Sequence, residues 1–280
     1  MAVALAILAA ISFGAADFGA GVASRRFSAG PVTAAAQLLA LCVVVLTTLV
    51  LGGGSPDRSV LIWGAVSGLG NGIGTLCLYR GLAVSRMSLV ATVAAVLTVI
   101  LPVITGVVLG HRPALLTWIG LAGAIPAIGL VSWQGNAGDR STTRRGLLYG
   151  LVAGAAFGLL FIALERAGTH AGAWPLIPGQ AVSVLIVAPF AVIGLRSASR
   201  RPDTLTALCM LGSGLLIGAG NLLFLASTGL GELAIVAVLG GMGPGVTVFL
   251  ARVFLAERWT RLQVAGLLLA GGAVVLLTLG

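Results

Sequence analysis

The sequence predicts an all-α integral membrane protein: ten transmembrane helices, arranged as two inverted five-helix repeats. Three observations predict it. Ten hydrophobic stretches fill nearly all of the 280-residue chain, and about 20 apolar helical residues suffice to cross a hydrocarbon core roughly 30 Å thick. Hydrophobic residues make up 59% of the chain and charged residues 8%, which leaves too little polar surface for a soluble domain of this size. The third observation is a weak, Gly-rich likeness between the two halves. Aromatics are scarce at 6% and no segment alternates in polarity, so a helical bundle is favoured over an outer-membrane barrel.

Taken in order, the spans run approximately over 3–23, 31–52, 60–80, 87–109, 114–134, 146–165, 173–195, 205–228, 233–255 and 260–279. Span 1 has no basic leader and carries Asp17 inside its apolar run, so it reads as a span and not as a cleaved signal. Span 2 holds Gln37. Span 3 is Gly-rich around Asn71 and ends on Tyr79 and Arg80. Spans 4 and 5 contain Pro102 and Pro126, each of which removes a backbone donor and permits a kink. The polar stretch from Gln134 to Arg145 is the natural linker, dividing the chain into 1–135, a linker at 136–145, and 146–280. Span 6 has Gly146, Gly150, Gly154 and Gly158, a smooth groove for another helix. Span 7 holds Gln180 and Pro189, span 8 Asn221, and span 9 Pro244. The five Trp residues lie near predicted span ends, where an indole suits the headgroup region. Cys42, Cys77 and Cys209 fall inside spans and read as free thiols.

An ungapped register pairs Leu109–Pro113 with Leu255–Trp259, Gly68 with Gly214, Gly74 with Gly220 and Gly120 with Gly266. Near the start of each half, Ser12–Phe18 faces Ala156–Ile162. Five spans is an odd number, so a duplicated second half enters the membrane from the opposite side. All sixteen basic residues are Arg. Thirteen fall after odd spans or in the linker and three (Arg58, Arg112 and Arg166) after even spans. The positive-inside rule then puts the odd loops in the cytoplasm and both termini outside. The same distribution accounts for the net charge of +9 without nucleic-acid binding.

The chain resembles the drug/metabolite transporter superfamily, in particular its ten-span EamA-type members. The resemblance is carried by Pro244 with Phe249–Gly272 in the second half, and by Leu78–Ala91 and Val108–Leu121 in the first. It covers essentially the whole chain. His111 stands where the family's LGER-like turn has a Glu, which Glu257 keeps in the second half. Well-known members place both termini in the cytoplasm, the opposite of the Arg count here. The resemblance implies export of metabolites, amino acids or drug-like amphiphiles across the cell membrane.

Asp17 is the most informative polar residue. A carboxylate in lipid costs a few kcal/mol on insertion scales, so it belongs in the bundle interior or a watery cavity. There it either binds a cationic group or cycles protons, or else pairs with an Arg as a packing element. Asn71 and Asn221, Gln37 and Gln180, and the Tyr79–Arg80 pair are further candidates for the solute site. For each the alternative is an interhelical hydrogen bond, or for Arg80 snorkelling to the headgroups. Pro102 and Pro244 are candidate gating kinks. Glu165, Glu232 and Glu257 read as solvated or capping.

No phosphate-binding loop, HExxH motif or buried nucleophile with a base is present in the sequence. The chain therefore reads as a secondary transporter of a small organic solute working by alternating access, without cofactor or metal and with protons as a possible partner. A channel and a non-transporting scaffold are the alternatives; a channel needs a continuous polar ring, which the sequence lacks.

Overall fold

The computed structural model describes residues 1–51, 56–110, 114–132, 140–168, 172–198, 201–228, 242–257 and 259–279. Among them the chain forms helices and no strand. The helices are α1 (Ala2–Arg26), α2 (Ala29–Leu51), α3 (Arg58–Val84), α4 (Met87–Val108), α5 (Leu115–Ser132), α6 (Arg140–Ala167), α7 (Leu176–Arg196), α8 (Thr204–Thr228), α9 (Gly243–Phe254) and α10 (Arg261–Leu279). Among the described residues seven of these are long and apolar enough to cross a bilayer, namely α1–α4 and α6–α8. The other three, α5, α9 and α10, are shorter apolar helices.

Local chemistry sets the helix ends. The Asp57 carboxylate accepts the Val60 amide at 2.8 Å to open α3, and Asp203 accepts the Thr206 amide at 3.0 Å to open α8. Thr260 and Gln263 form a reciprocal capping box at α10: the Thr260 amide donates to Gln263 Oε1 at 3.0 Å and the Gln263 amide to Thr260 Oγ1 at 3.3 Å. Gly110, at φ 91°, follows α4, and Gly168, at φ 76°, follows α6; both are left-handed turns for which glycine carries no Cβ penalty.

The packing crosses between the halves more than it runs within them. Helix α1 lies antiparallel to α8: Phe13 meets Gly220, the Ser213 hydroxyl donates to the Ala16 carbonyl at 2.8 Å, and Gly19 meets Ser213. Helix α3 lies antiparallel to α6, with Gly74 against Phe157 and Gly81 against Tyr149. These contacts are reciprocal in the sequence register, which pairs Gly74 with Gly220 and Phe13 with Phe157. Gly68 likewise abuts Gly179 and Val182 on α7, while Gly214 abuts Ala36 and Leu39 on α2. Gly120 packs on α10 at Leu277, and Gly266 packs on α5 at Val131. The core sits among α1, α3 and α4, around Tyr79, Leu82, Met87 and Val90.

The glycine row of α6 is a helix seat. Gly146, Gly150, Gly154 and Gly158 face Leu89, Val93, Leu97 and Leu101 in turn along α4. A Cβ on Gly154 would stand 2.6 Å from the Ala94 carbonyl oxygen, a backbone atom with nowhere to move. Gly154→Val is therefore expected to destabilise the protein by about 1–3 kcal/mol, the usual cost of overpacking, read as a lower midpoint of thermal unfolding in detergent. The packing reading of this row holds, and the row is covered by the chain's own α4.

Three expectations shift. Residues 140–145 of the expected linker are helical, the opening of α6, because nothing in Arg-Ser-Thr-Thr-Arg-Arg breaks a helix and Gly146 packs its continuation. Helix α3 runs one turn past Arg80, to Val84. Pro244 sits in the first turn of α9, where its missing N–H costs nothing, and not at a kink inside a described helix. The expected start of span 9, at 233, lies outside the described residues, as do His111, Trp133, His170, Glu232 and Arg258. Pro102 is inside α4 as expected, and Pro126 and Pro189 are inside α5 and α7.

Candidate functional site

Helix α3 carries Asn71, Thr75 and Tyr79 at intervals of four, so all three lie on one face along roughly 12 Å of helix. Each meets a polar group from another helix. Asn71 Nδ2 donates to Gln180 Oε1 on α7 at 3.1 Å and to Gln37 Oε1 on α2 at 3.4 Å. Gln37 Nε2 donates to Thr75 Oγ1 at 3.0 Å, and the Thr75 hydroxyl donates to the Asn71 carbonyl at 2.7 Å. Gln37 is fully buried and Gln180 nearly so, so this network lies in the interior and joins residues 109 positions apart. Ser183, one turn along α7 from Gln180, is fully buried, and its hydroxyl finds no hydrogen-bond partner among the described residues.

At the far end of the stripe the Tyr79 hydroxyl stands beside the Asp17 carboxyl of α1. Tyr79 is wholly buried, and its hydroxyl meets no strict hydrogen-bond geometry among the described residues. Protein surrounds Asp17, yet the side chain keeps intermediate solvent exposure. The close approach of α1 to its neighbours is built from small residues: Thr247 of α9 donates to the Gly14 carbonyl at 3.0 Å, and Gly21 abuts Leu82 and Met87.

The structure separates the remaining candidates from this group. Arg80 stacks over the ring of Phe190 on α7, 4.9 Å from its centroid, so its contact is a ring near the bundle surface and Tyr79 takes the place beside Asp17. Asn221 is half-buried on α8, next to Gly220. Thr75 and Ser183 were not singled out from the sequence. For Thr75 a signal was present: it lies four residues from both Asn71 and Tyr79, and the Gly74–Gly220 register pairs it with Asn221. Ser183 carried none, since a lone Ser in an apolar span is common.

A second polar cluster lies where α1, α3 and α9 end and α4 begins. Glu257 caps the start of α4, accepting the Met87 amide at 2.7 Å and the Ser88 amide at 3.3 Å. Arg25 caps the end of α3, donating from Nε to the Leu82 carbonyl and from Nη2 to the Ser85 carbonyl, both at 3.0 Å. Each charge thus sits on the helix terminus of opposite partial charge, and the two side chains face each other at 3.9 Å. Arg86 also feels the Glu257 charge. Burial pushes its guanidinium below the usual arginine range, and the Glu257 carboxylate opposes that shift. Arg252 donates to the Glu257 backbone carbonyl and stacks over Trp259 at 5.4 Å. Ala256, just before Glu257, has φ 51°, a left-handed conformation uncommon outside glycine and typical of positions held for a purpose. The capping reading of Glu257 thus holds, with a partner in the other half of the chain.

No metal-holding group of His, Cys, Asp or Glu occurs among the described residues, and the three cysteines are free.

Residues 144–279 match the EamA-like transporter family. A solved crystal structure of a protein is similar over 97% of this chain and 96% of its own, with a TM-score of 0.60 and 17% identity. At that identity the likeness shows a shared fold and nothing about the solute. No curated protein matches the chain in sequence. The match over its second half places the chain in the drug/metabolite transporter superfamily: it is a multi-pass membrane transporter, helical among the described residues.

Proposed function

We propose that this transporter is a pair of inverted five-helix repeats, residues 1–135 and 146–280, that exports a small organic solute by alternating access. The observation that carries the reading is the shared interior: Asn71 of the first half bonds to Gln180 of the second, on the same α3 face that brings Tyr79 to Asp17. Polar side chains held inside a membrane bundle mark solute and ion pathways, and transporters of inverted-repeat plan bind at the interface between repeats. The reciprocal contacts of Gly74 with Phe157 and Gly220 with Phe13 support the twofold plan. Asp17 favours a solute with a cationic group, and the amides of Gln37, Asn71 and Gln180 favour one that also carries hydrogen-bonding groups. Protons are the natural coupling ion for a carboxyl in this position.

The Glu257–Arg25 cluster fits a closed gate at the basic face. It ties the ends of α1, α3, α4 and α9 together with one carboxylate and joins the two halves there. Pro102 in α4 supplies a bending point above it. In this reading Asn221 and Arg80 stand at the edge of the pathway.

The alternation of helix directions gathers Arg25, Arg26, Arg86, Arg140, Arg144, Arg145, Arg196, Arg201 and Arg261 on one face. The positive-inside rule makes that face cytoplasmic in the cell membrane, with both termini outside. Ser141→Cys tests this: an impermeant thiol reagent should fail to label it in intact cells and should label it in inverted vesicles. Labelling in intact cells reverses the assignment.

A thermal-shift screen over amino acids, nucleobases, sugars and organic cations is expected to return at least one stabilising solute. That stabilisation should be lost in Gln180→Ala. A scaffold without a solute site gives no hit across the panel.

A further inference from the structure

A cavity of about 730 Å³ opens on the basic face, between the end of α1, the start of α2, the end of α7 and the start of α8. Arg25, Arg26 and Arg201 line it with the hydroxyl-bearing Ser28, Ser197 and Thr206. Among the described residues Asp203 is the one carboxylate in the lining, and Glu257 faces Arg25 from outside it at 3.9 Å, so Arg201 is the lining cation with no facing carboxylate among the described residues. Asp203 is already occupied: it pairs with Arg26 at 3.3 Å and caps α8 through Thr206. The Thr206 hydrogen bonds and the Arg26 charge keep its carboxyl below the usual range, so it stays ionised and does not compete as an acid. Arg25 is anchored on α3 carbonyls. Arg201 is exposed, and among the described residues it forms no hydrogen bond or ion pair.

The surroundings say what kind of anion fits. On α7, Ile193 and Leu195 expose 62% and 57% of their surface, and on α8, Leu205 and Leu208 expose 47% and 63%. Exposed apolar side chains of this kind suit acyl chains, and they lie close in sequence to the cavity's Ser197, Arg201 and Thr206. The cavity therefore sits at the boundary between the apolar belt and the basic face, the level at which lipid phosphates lie. Basic pockets between helices at this level bind anionic headgroups.

We infer that this cavity is a site for the headgroup of an anionic phospholipid. Its walls come from both halves of the chain, Arg25, Arg26 and Ser28 from the first and Ser197, Arg201 and Thr206 from the second. A lipid seated there bridges them beside the existing Arg26–Asp203 pair. The inference rests on the membrane-spanning character of the chain and is independent of how, or whether, Asp17 takes part in transport.

The test is a titration of the purified full-length protein in neutral detergent with phosphatidylglycerol, with phosphatidylcholine as the uncharged comparison, reading thermal midpoint and apparent affinity. Phosphatidylglycerol is expected to stabilise and phosphatidylcholine not. Arg201→Gln should weaken the apparent affinity about fivefold, the worth of one basic residue near a membrane surface. Asp203→Asn keeps a capping oxygen for Thr206 and removes the opposing charge, so it should tighten binding. Arg140→Gln, on the same face but at the start of α6, should leave affinity unchanged. Equal stabilisation by both lipids overturns the site. So does equal weakening by Arg201→Gln and Arg140→Gln, which signals diffuse surface charge, or tightening absent in Asp203→Asn. Saturable stabilisation by inorganic phosphate at the same concentrations overturns the lipid assignment in favour of a soluble phosphate.

Discussion

Asp17→Asn is expected to lower solute flux into proteoliposomes by roughly tenfold to a hundredfold. That range is the equilibrium equivalent of the 1.5–3 kcal/mol carried by a hydrogen bond to a charged group. The substitution keeps the volume and the acceptor oxygen facing Tyr79, so packing between α1 and α3 is preserved and the loss reports on charge. If the carboxyl also carries the coupling proton, the dependence of flux on pH flattens in the same variant. Two readouts separate these roles. A fall in flux with an unchanged pH profile assigns Asp17 to solute binding alone. Unchanged flux and an unchanged profile remove it from transport. Tyr79→Phe, which deletes only the hydroxyl beside Asp17, should give a smaller loss in the same direction.

Glu257→Ala is expected to be the most destabilising single substitution at the basic face, by about 2–4 kcal/mol. The change strips the start of α4 of its cap, worth about 1 kcal/mol, and leaves Arg25 and Arg86 without their counter-charge in a half-buried site. The thermal midpoint should fall accordingly. Glu257→Gln keeps an acceptor for the Met87 amide but no charge and should fall between wild type and Ala. If this cluster is also the gate, the Gln variant should favour the state open at the basic face. A cysteine placed at Ser88 would then react faster with a soluble reagent than in the wild-type background. A midpoint unmoved in both variants would make the cluster a surface ornament.

Much of the fold was legible because bilayer physics leaves few choices. Apolar runs of span length gave helix positions within a few residues for α1 to α5, α7, α8 and α10, while α6 begins six residues earlier than expected. The glycine register pointed to a repeat but not to which helices meet: the closest packing runs between the halves, not between sequential helices. The site was legible where chemistry is rare: a carboxylate inside a span, and amides in Gly-rich helices. It was illegible where the partner is distant. Glu257 and Arg25 lie at opposite ends of the chain, and each looks like an ordinary end-of-helix charge until the fold sets them 3.9 Å apart. Arg80 was ambiguous for the same reason, since only the position of Phe190 decides which way a long side chain turns. Pro244 misled because a proline inside an apolar run gives no sign of whether the helix passes through it or starts at it. Arg140–Arg145 misled because polarity resembles a linker even when no Gly or Pro breaks the helix.

The claim on which the rest depends is that one interior, built from both halves, is presented to the two sides of the membrane in turn. Counterflow tests it most directly. Proteoliposomes are preloaded with an excess of the unlabelled solute found by thermal shift, and entry of the same labelled solute is followed from outside. Alternating access predicts a transient accumulation of label above equilibrium, faster than into empty vesicles. A label that rises only to equilibrium, at the same rate with and without preloading, would mean an open pore and would contradict the account.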